Sequence, residues 1–206
     1  MAWQEKLLDR FDLSDDPFVQ FNRWYQEADT LRSDDFDPDA VCLSTIDPNG
    51  YPDSRMVLLK GWGPGGFVFY TNTDSTKGQS LKLIPRAALC FYWSPLRRQI
   101  RLSGTVIPGS EKEADDYFET RERRTQIGAW ASQQSQPLAD RERLESRYQQ
   151  FAEKYHGQVI PRPSHWQGYK IIPSRMEFWQ QRSHRLHDRF LYEKKTGTWE
   201  ITRLYP

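Results

Sequence analysis

From Val41 to Ile107 the chain breaks into short apolar runs separated by turn signals, and this pattern confines the fold more than any other feature. Val41 to Ile46 ends at Asp47-Pro48-Asn49-Gly50, Ser54 to Lys60 ends at the glycine-rich stretch Gly61 to Gly66, and Phe67 to Thr71 follows. Ala87 to Trp93 and Gln99 to Ile107 lie on either side of a Pro95-Leu96-Arg97 turn. Runs this short, with turns this tight, read as strands whose neighbours are antiparallel. The pattern resumes at His165 to Ile172, Arg175 to Gln180, Leu186 to Glu193 and Trp199 to Leu204, the last two joined by Lys195-Thr196-Gly197. Such a sheet is expected to close on itself into a barrel.

Helices are expected around this sheet. Asp16 caps and Pro17 opens the first, with Phe18, Phe21, Trp24, Tyr25 and Ala28 on one face at helical spacing. A short helix follows the polar stretch Thr73 to Lys77 and stops near Pro85. Ser110 and Glu113 have capping-box spacing and start a helix to about Glu122; a charged helix spans roughly Leu138 to Tyr155. The expected fold class is mostly β with peripheral helices (α+β). One domain covers residues 16–206, preceded by a loose arm over residues 1–15.

Composition narrows the function. A chain of 206 residues, 37% hydrophobic, is long enough for one proper core. Its net charge of +1 gives no electrostatic case for nucleic acid or a membrane surface, and no apolar run approaches a membrane span. The charged stretch Met1 to Ser14 does not read as a signal peptide, so a cytoplasmic protein is expected. Cys42 and Cys90 each sit in an apolar run and read as small buried hydrophobes. Neither forms a Cys-x-x-Cys pair and no His cluster has ligand spacing, so no metal is expected. The basic residues are 20 Arg and 9 Lys, a bias that suits planar recognition of phosphate or carboxylate.

Candidate chemistry concentrates in four stretches. Glu177 to Phe190 holds His184, Arg185, His187 and Arg189 within six positions. If Leu186 to Tyr192 is a strand, His187 and Arg189 share one face, with Arg185 in register. That face repels itself unless an anion or an electron-rich ring lies against it. Arg55 and Lys60 bracket an apolar strand, placed either to bind two groups or to reach water from its ends. Ser75-Thr76-Lys77 enters a helix with hydroxyls, N–H groups and an ammonium, the parts of a phosphate cradle and also of an ordinary cap. Tyr117, Arg121 and Thr125 share a face on any helix that runs so far, a stripe that suits a phosphate ester or a solvated helix end. No Gly-x-Ser-x-Gly elbow is present, so the chemistry is expected to come from a cofactor.

Arg55-Met56-Val57-Leu58-Leu59-Lys60, Phe69-Tyr70-Thr71-Asn72, Arg98-Gln99, Gln126-Ile127-Gly128-Ala129-Trp130 and Gln134-Ser135 form one ordered set. With Phe178-Trp179 and Arg185-Leu186-His187-Asp188-Arg189-Phe190, this set resembles the pyridoxamine 5'-phosphate oxidase family from about residue 17 to the C-terminus. The resemblance implies a split β-barrel homodimer with FMN at the subunit interface. It implies oxidation of pyridoxamine or pyridoxine 5'-phosphate, a small-molecule substrate, to pyridoxal 5'-phosphate, with O2 reduced to H2O2.

By that resemblance, Arg55, Met56, Val57, Leu58, Leu59, Lys60, Tyr70 and Thr71 fall at FMN-binding positions, as do Thr76, Lys77, Gln99, Gln134, Ser135, Trp179 and Arg189. Lys60, Tyr117, Arg121 and Thr125 fall at the site for the substrate phosphate. Arg185, Leu186 and His187 fall beside the pyridine ring, with Arg185 and His187 nearest the chemistry. Three positions depart from the family pattern. Thr76 stands where Arg is usual, Thr125 where Ser is usual, and the N-terminal arm lacks the usual basic, Tyr-containing segment. The competing expectations are a flavin oxidase of the same fold acting on another ring, of the phenazine-biosynthesis type, and a protein that holds FMN or pyridoxal phosphate without turnover.

Overall fold

The computed structural model describes residues 7–206, so the part of the expected arm before Leu7 lies outside the described residues. Among them, eight strands form one antiparallel sheet: β1 (Ala40–Ile46), β2 (Pro52–Leu58), β3 (Phe67–Asn72), β4 (Arg86–Trp93), β5 (Arg98–Pro108), β6 (Trp166–Gln180), β7 (Asp188–Lys195) and β8 (Thr198–Arg203). The order is β2-β1-β4-β5-β6-β7-β8, with β3 also paired to β6. β6 is the spine. β5 runs along both its halves, β3 pairs with its first half and β7 with its second. Past the end of β2, the Lys60 N–H donates to the Val68 carbonyl and the Val68 N–H to that of Gly61. Among the described residues this isolated bridge brings the tail of β2 to β3 and the sheet does not close, so the split β-barrel implied by the resemblance is found, and the closed one suggested by the strand pattern is not.

Strand alternation sets what lies inside. Val41 and Leu43 of β1, Leu89, Phe91 and Trp93 of β4, and Ile100 and Leu102 of β5 fill the core. Cys42 and Cys90 have the opposite parity. They face each other across β1 and β4 on the outer surface and are partly exposed, which corrects their reading as buried hydrophobes.

The two strands expected at His165–Ile172 and Arg175–Gln180 are one strand with a bulge. Ile171 points inward, and so do Met176 and Phe178, which have the other parity. The slip is absorbed at Ser174: Pro173 pairs with Gly104, whereas Arg175 pairs with Ser103. The backbones approach so closely here that a Cβ on Gly104 would sit 1.9 Å from the Ile172 carbonyl oxygen. Pro173 is tolerated because a bulge leaves a position without its ladder hydrogen bond.

The helices are α1 (Pro17–Asp29), α2 (Thr76–Leu83), α3 (Glu111–Glu119), α4 (Arg123–Ala131) and α5 (Arg141–Lys154). α1 starts as expected, with Asp16 accepting from the Phe18 N–H at 2.7 Å. It drives Phe21 and Trp24 into the barrel, Phe21 edge-on to Phe67 at 4.9 Å and Trp24 edge-on to Phe178 at 5.3 Å. The Ser110–Glu113 capping box forms, but α3 stops at Glu119 and α4, which no periodicity announced, begins after Glu122. Residues 8–15 are not loose. Leu8 and Leu13 are buried, Asp9 and Asp12 cap a 3-10 turn at Arg10–Asp12, and the Tyr192 hydroxyl donates to the Ser14 carbonyl at 2.7 Å. Among the described residues no helix is long and apolar enough to cross a membrane.

Candidate active site

A cavity of about 810 Å3 opens where the tail of β2, the end of β3 and the α3–α4 corner meet. That is within the usual range for small-molecule sites. Lys60, Lys77 and Arg121 line it with Met56, Val57, Leu58, Tyr70, Thr71, Tyr117, Thr125 and Gln134. Most residues expected at FMN or at the substrate phosphate therefore converge on one space.

Two positions in it hold buried cationic groups. Lys77 is buried at 8% exposure, its ammonium 3.5 Å from the Ser75 hydroxyl. Burial, and next the positive charge of Arg55, pull its pKa below the ordinary lysine value. Arg55 stands behind it, outside the lining, donating to the Thr45 hydroxyl at 2.8 Å and paired with Asp53. A desolvated ammonium beside a guanidinium gains from an added anion, although here Asp53 already meets part of that charge. At the second position the Nη1 of Arg121 is buried with no hydrogen-bond partner. The guanidinium lies over Trp166 at 5.0 Å, and burial lowers its pKa. A buried donor left unpaired costs about 1–3 kcal/mol, a cost that a phosphate oxygen would remove.

Aromatic rings floor the cavity. Tyr70 stacks on Tyr117 at 4.3 Å and on Trp166 at 4.9 Å. Gly168 permits this, because a Cβ there would come within 2.8 Å of the Tyr70 ring. Trp166, Ser132 and Gly128 also line the space and were not anticipated. The one available signal for Trp166 was an aromatic residue just before a strand glycine.

Tyr117, Arg121 and Thr125 do meet, but not on one helical face. Tyr117 is near the end of α3, Arg121 lies in the corner, and Thr125 is in the first turn of α4 with its hydroxyl donating to the Glu122 carbonyl at 2.8 Å. The Thr71 hydroxyl donates to the Gln134 side-chain oxygen at 3.4 Å. Leu59 is turned into the core at 2% exposure, so only its main chain could meet a ligand. Thr76 is exposed at the first position of α2, and Ser135 is exposed with a left-handed φ of 70°.

The remaining expected residues form a second cluster. Gln99, Trp179 and Arg189 make one cross-strand row over β5, β6 and β7. Arg189 donates to Glu177 at 2.9 Å and to the Tyr205 carbonyl at 2.8 Å. The His187 ring lies 4.6 Å from that of Trp179. The strand expected from Leu186 begins instead at Asp188, so Arg185 and His187 do not share a strand face with Arg189. Ser183–Arg185 forms a 3-10 turn in which His184 and Arg185 take left-handed φ values of 55° and 63°. The reversal from β6 to β7 requires this curvature, and it leaves Arg185 and Leu186 exposed. His187 Nδ1 accepts from the Arg182 N–H at 3.1 Å, so the neutral ring carries its proton on Nε2.

Comparison with known proteins agrees with this geometry. Residues 29–155 match the family model described as pyridoxamine 5'-phosphate oxidase, and residues 166–206 match the pyridoxine 5'-phosphate oxidase C-terminal dimerisation region. The pyridoxine/pyridoxamine 5'-phosphate oxidase of Caulobacter vibrioides is 52% identical over 93% of this chain and 86% of its own length. That of Sphingopyxis alaskensis is 50% identical over 94% and 89%. The crystal structure of PhzG from Burkholderia lata in complex with tetrahydrophenazine-1-carboxylic acid has a TM-score of 0.89 at 32% identity, covering 97% of this chain and 98% of that one. A pyridoxamine 5'-phosphate oxidase-related, FMN-binding protein from Nostoc punctiforme shares the fold, with a TM-score of 0.72 at 16% identity over 94% and 100%. Sequence match and fold lead to one conclusion: the chain belongs to the pyridoxine/pyridoxamine 5'-phosphate oxidase family of oxidoreductases.

Proposed function

We propose that this protein oxidises pyridoxamine 5'-phosphate and pyridoxine 5'-phosphate to pyridoxal 5'-phosphate, using FMN, and reduces O2 to H2O2. The observation that carries this reading is the pair of anion positions, Lys77 beside Arg55 and Arg121 near Lys60, around one aromatic-floored cavity. One phosphorylated ligand needs one such position; two need both. Overall, pyridoxamine 5'-phosphate, O2 and water give pyridoxal 5'-phosphate, ammonia and H2O2. A cytoplasmic setting is part of the same reading.

The working unit in this proposal is a homodimer whose sites each draw on both chains. Trp166 of the cavity and Trp179 of the second cluster are near opposite ends of β6. They are about 40 Å apart along an extended strand. A second copy, related by a two-fold axis, can bring its own Gln99–Trp179–Arg189 row to the cavity of the first. Met56 at 62% and Tyr92 at 55% exposure give the outer face apolar surface for such a contact.

Within that site Arg55, Lys77 and the N-terminus of α2 hold the FMN phosphate by charge-assisted hydrogen bonds. Lys60, Arg121, Tyr117 and Thr125 hold the substrate phosphate. Arg185 lies over the pyridine face, and His187 donates its Nε2 proton to the ring's phenolic oxygen. FMN, when bound, would supply the two-electron acceptor for oxidation at the substrate's C4' carbon. The protein's contribution is face-to-face placement of two rings over the aromatic floor.

Adding pyridoxamine 5'-phosphate to the FMN-loaded protein should release H2O2 in step with pyridoxal 5'-phosphate. Binding of FMN without oxidation of either B6 phosphate would defeat the proposal. Faster oxidation of a reduced tricyclic carboxylate would favour the phenazine-type reading instead.

A further inference from the structure

Asp188 is the first residue of β7 and ends the loop that carries Arg185 and His187. It is buried at 9% exposure, and its carboxylate meets Leu8, Arg182 and Arg203, from three segments of the chain. Oδ2 accepts from the Leu8 N–H at 3.2 Å and lies 3.4 Å from Arg182 Nε. Oδ1 lies 3.6 Å from Arg203 Nη1. Arg182 is thus held by its side chain while its main-chain N–H donates to His187 Nδ1 at 3.1 Å.

This matters because the loop takes an uncommon shape. It contains two residues in the left-handed region, His184 and Arg185, a conformation that L side chains adopt only when their surroundings impose it. An imidazole can carry its proton on either nitrogen, and a donor aimed at one of them decides which. The Trp179 ring limits the tilt of His187 but cannot choose its tautomer.

We propose that Asp188 is a positioning residue: by tethering Arg182 it aims that residue's N–H at Nδ1 and so fixes His187 as the Nε2–H tautomer. The consequence for turnover rests on the assignment of His187 to the substrate ring oxygen, made above. The tautomer itself can be read without turnover.

The test is the 15N spectrum of the His187 ring in the full-length protein, with and without FMN, compared between wild type and Asp188→Asn. Wild type should show one protonated nitrogen, Nε2, and Asp188→Asn should show averaged nitrogens as both tautomers populate. In the same variant kcat/KM for pyridoxamine 5'-phosphate should fall about tenfold or more while the Kd for FMN changes less than about twofold, the pattern of a misplaced donor. Should Asp188→Asn fail to fold, Arg182→Gln removes the tether and keeps the N–H, and averaged nitrogens are again expected. Wild-type ring signals in either folded variant, or an Nδ1–H ring in wild type, would overturn the proposal. Loss of peroxide release by wild type alone would count against the proposed function and leave the tautomer comparison standing.

Discussion

Replacing Arg121 by Met separates ligand binding from stability, because the two should move in different directions. The guanidinium lines the cavity with Nη1 buried and unpaired, over Trp166 at 5.0 Å and Phe118 at 5.5 Å. Removing it relieves an unsatisfied donor, worth about 1–3 kcal/mol. It also forfeits the cation–π contact, worth about 0.5–2 kcal/mol, although the Met chain keeps much of the packing. These effects nearly cancel, so the ligand-free protein should unfold within about 1 kcal/mol of wild type. With phosphate present the balance changes. A hydrogen bond to a charged group contributes about 1.5–3 kcal/mol, so the Kd for pyridoxal 5'-phosphate and the KM for pyridoxamine 5'-phosphate should rise roughly 10- to 150-fold. Denaturant unfolding of the ligand-free protein and titration with the product measure the two quantities on one sample. A stability loss above about 2 kcal/mol, or a Kd within threefold of wild type, would refute the reasoning that Arg121 is held unpaired for an anion.

Lys77→Ala should weaken FMN binding about tenfold or more, with a smaller effect on KM; fluorescence titration that finds FMN affinity unchanged would remove Lys77 from the phosphate site. Arg185→Ala should do the reverse, lowering kcat well before flavin is lost, as stopped-flow reduction of the bound flavin would show. Gly104→Ala places a Cβ 1.9 Å from a carbonyl oxygen, so thermal unfolding should show a loss of about 3 kcal/mol or more. Glu113 is held down to a pKa of about 2, first by its hydrogen bond to Lys170 and then by the Ser110 N–H. Because the folded-state value is the lower one, this stabilisation is present above the ordinary Glu range and is lost as pH falls toward 2. Glu113→Gln should therefore flatten the acid limb of the stability curve, by under about 1 kcal/mol at this half-exposed position.

On the proposed homodimer reading, the split between the two clusters divides the site between two chains. Lys77 and Arg121 face one cavity, whereas Trp179, His187 and Arg189 gather at the far end of β6. A dissociated protomer should therefore keep its anion positions and lose turnover. The exposed Met56 and Leu58 would be covered in that homodimer.

Local chemistry made much of the protein readable from its residues. Asp16-Pro17 had to begin a helix, the apolar runs between turn signals had to be strands, and Ser110 with Glu113 had to form a cap, because each follows from interactions within a few residues. Order along the chain also suggested a set of residues that the fold gathers into two clusters. Parity and curvature were beyond its reach. The bulge at Ser174 turns two expected strands into one, and the left-handed turn at His184 and Arg185 delays β7 until Asp188. Burial of Leu8 and Leu13 likewise depends on contacts such as Leu8 to Asp188, 180 residues apart. Sequence spacing sets the directions of side chains only while a single period holds. Where Gly104 meets the Ile172 backbone or Leu8 meets Asp188, a remote neighbour resets that period, and only the folded chain supplies the neighbour.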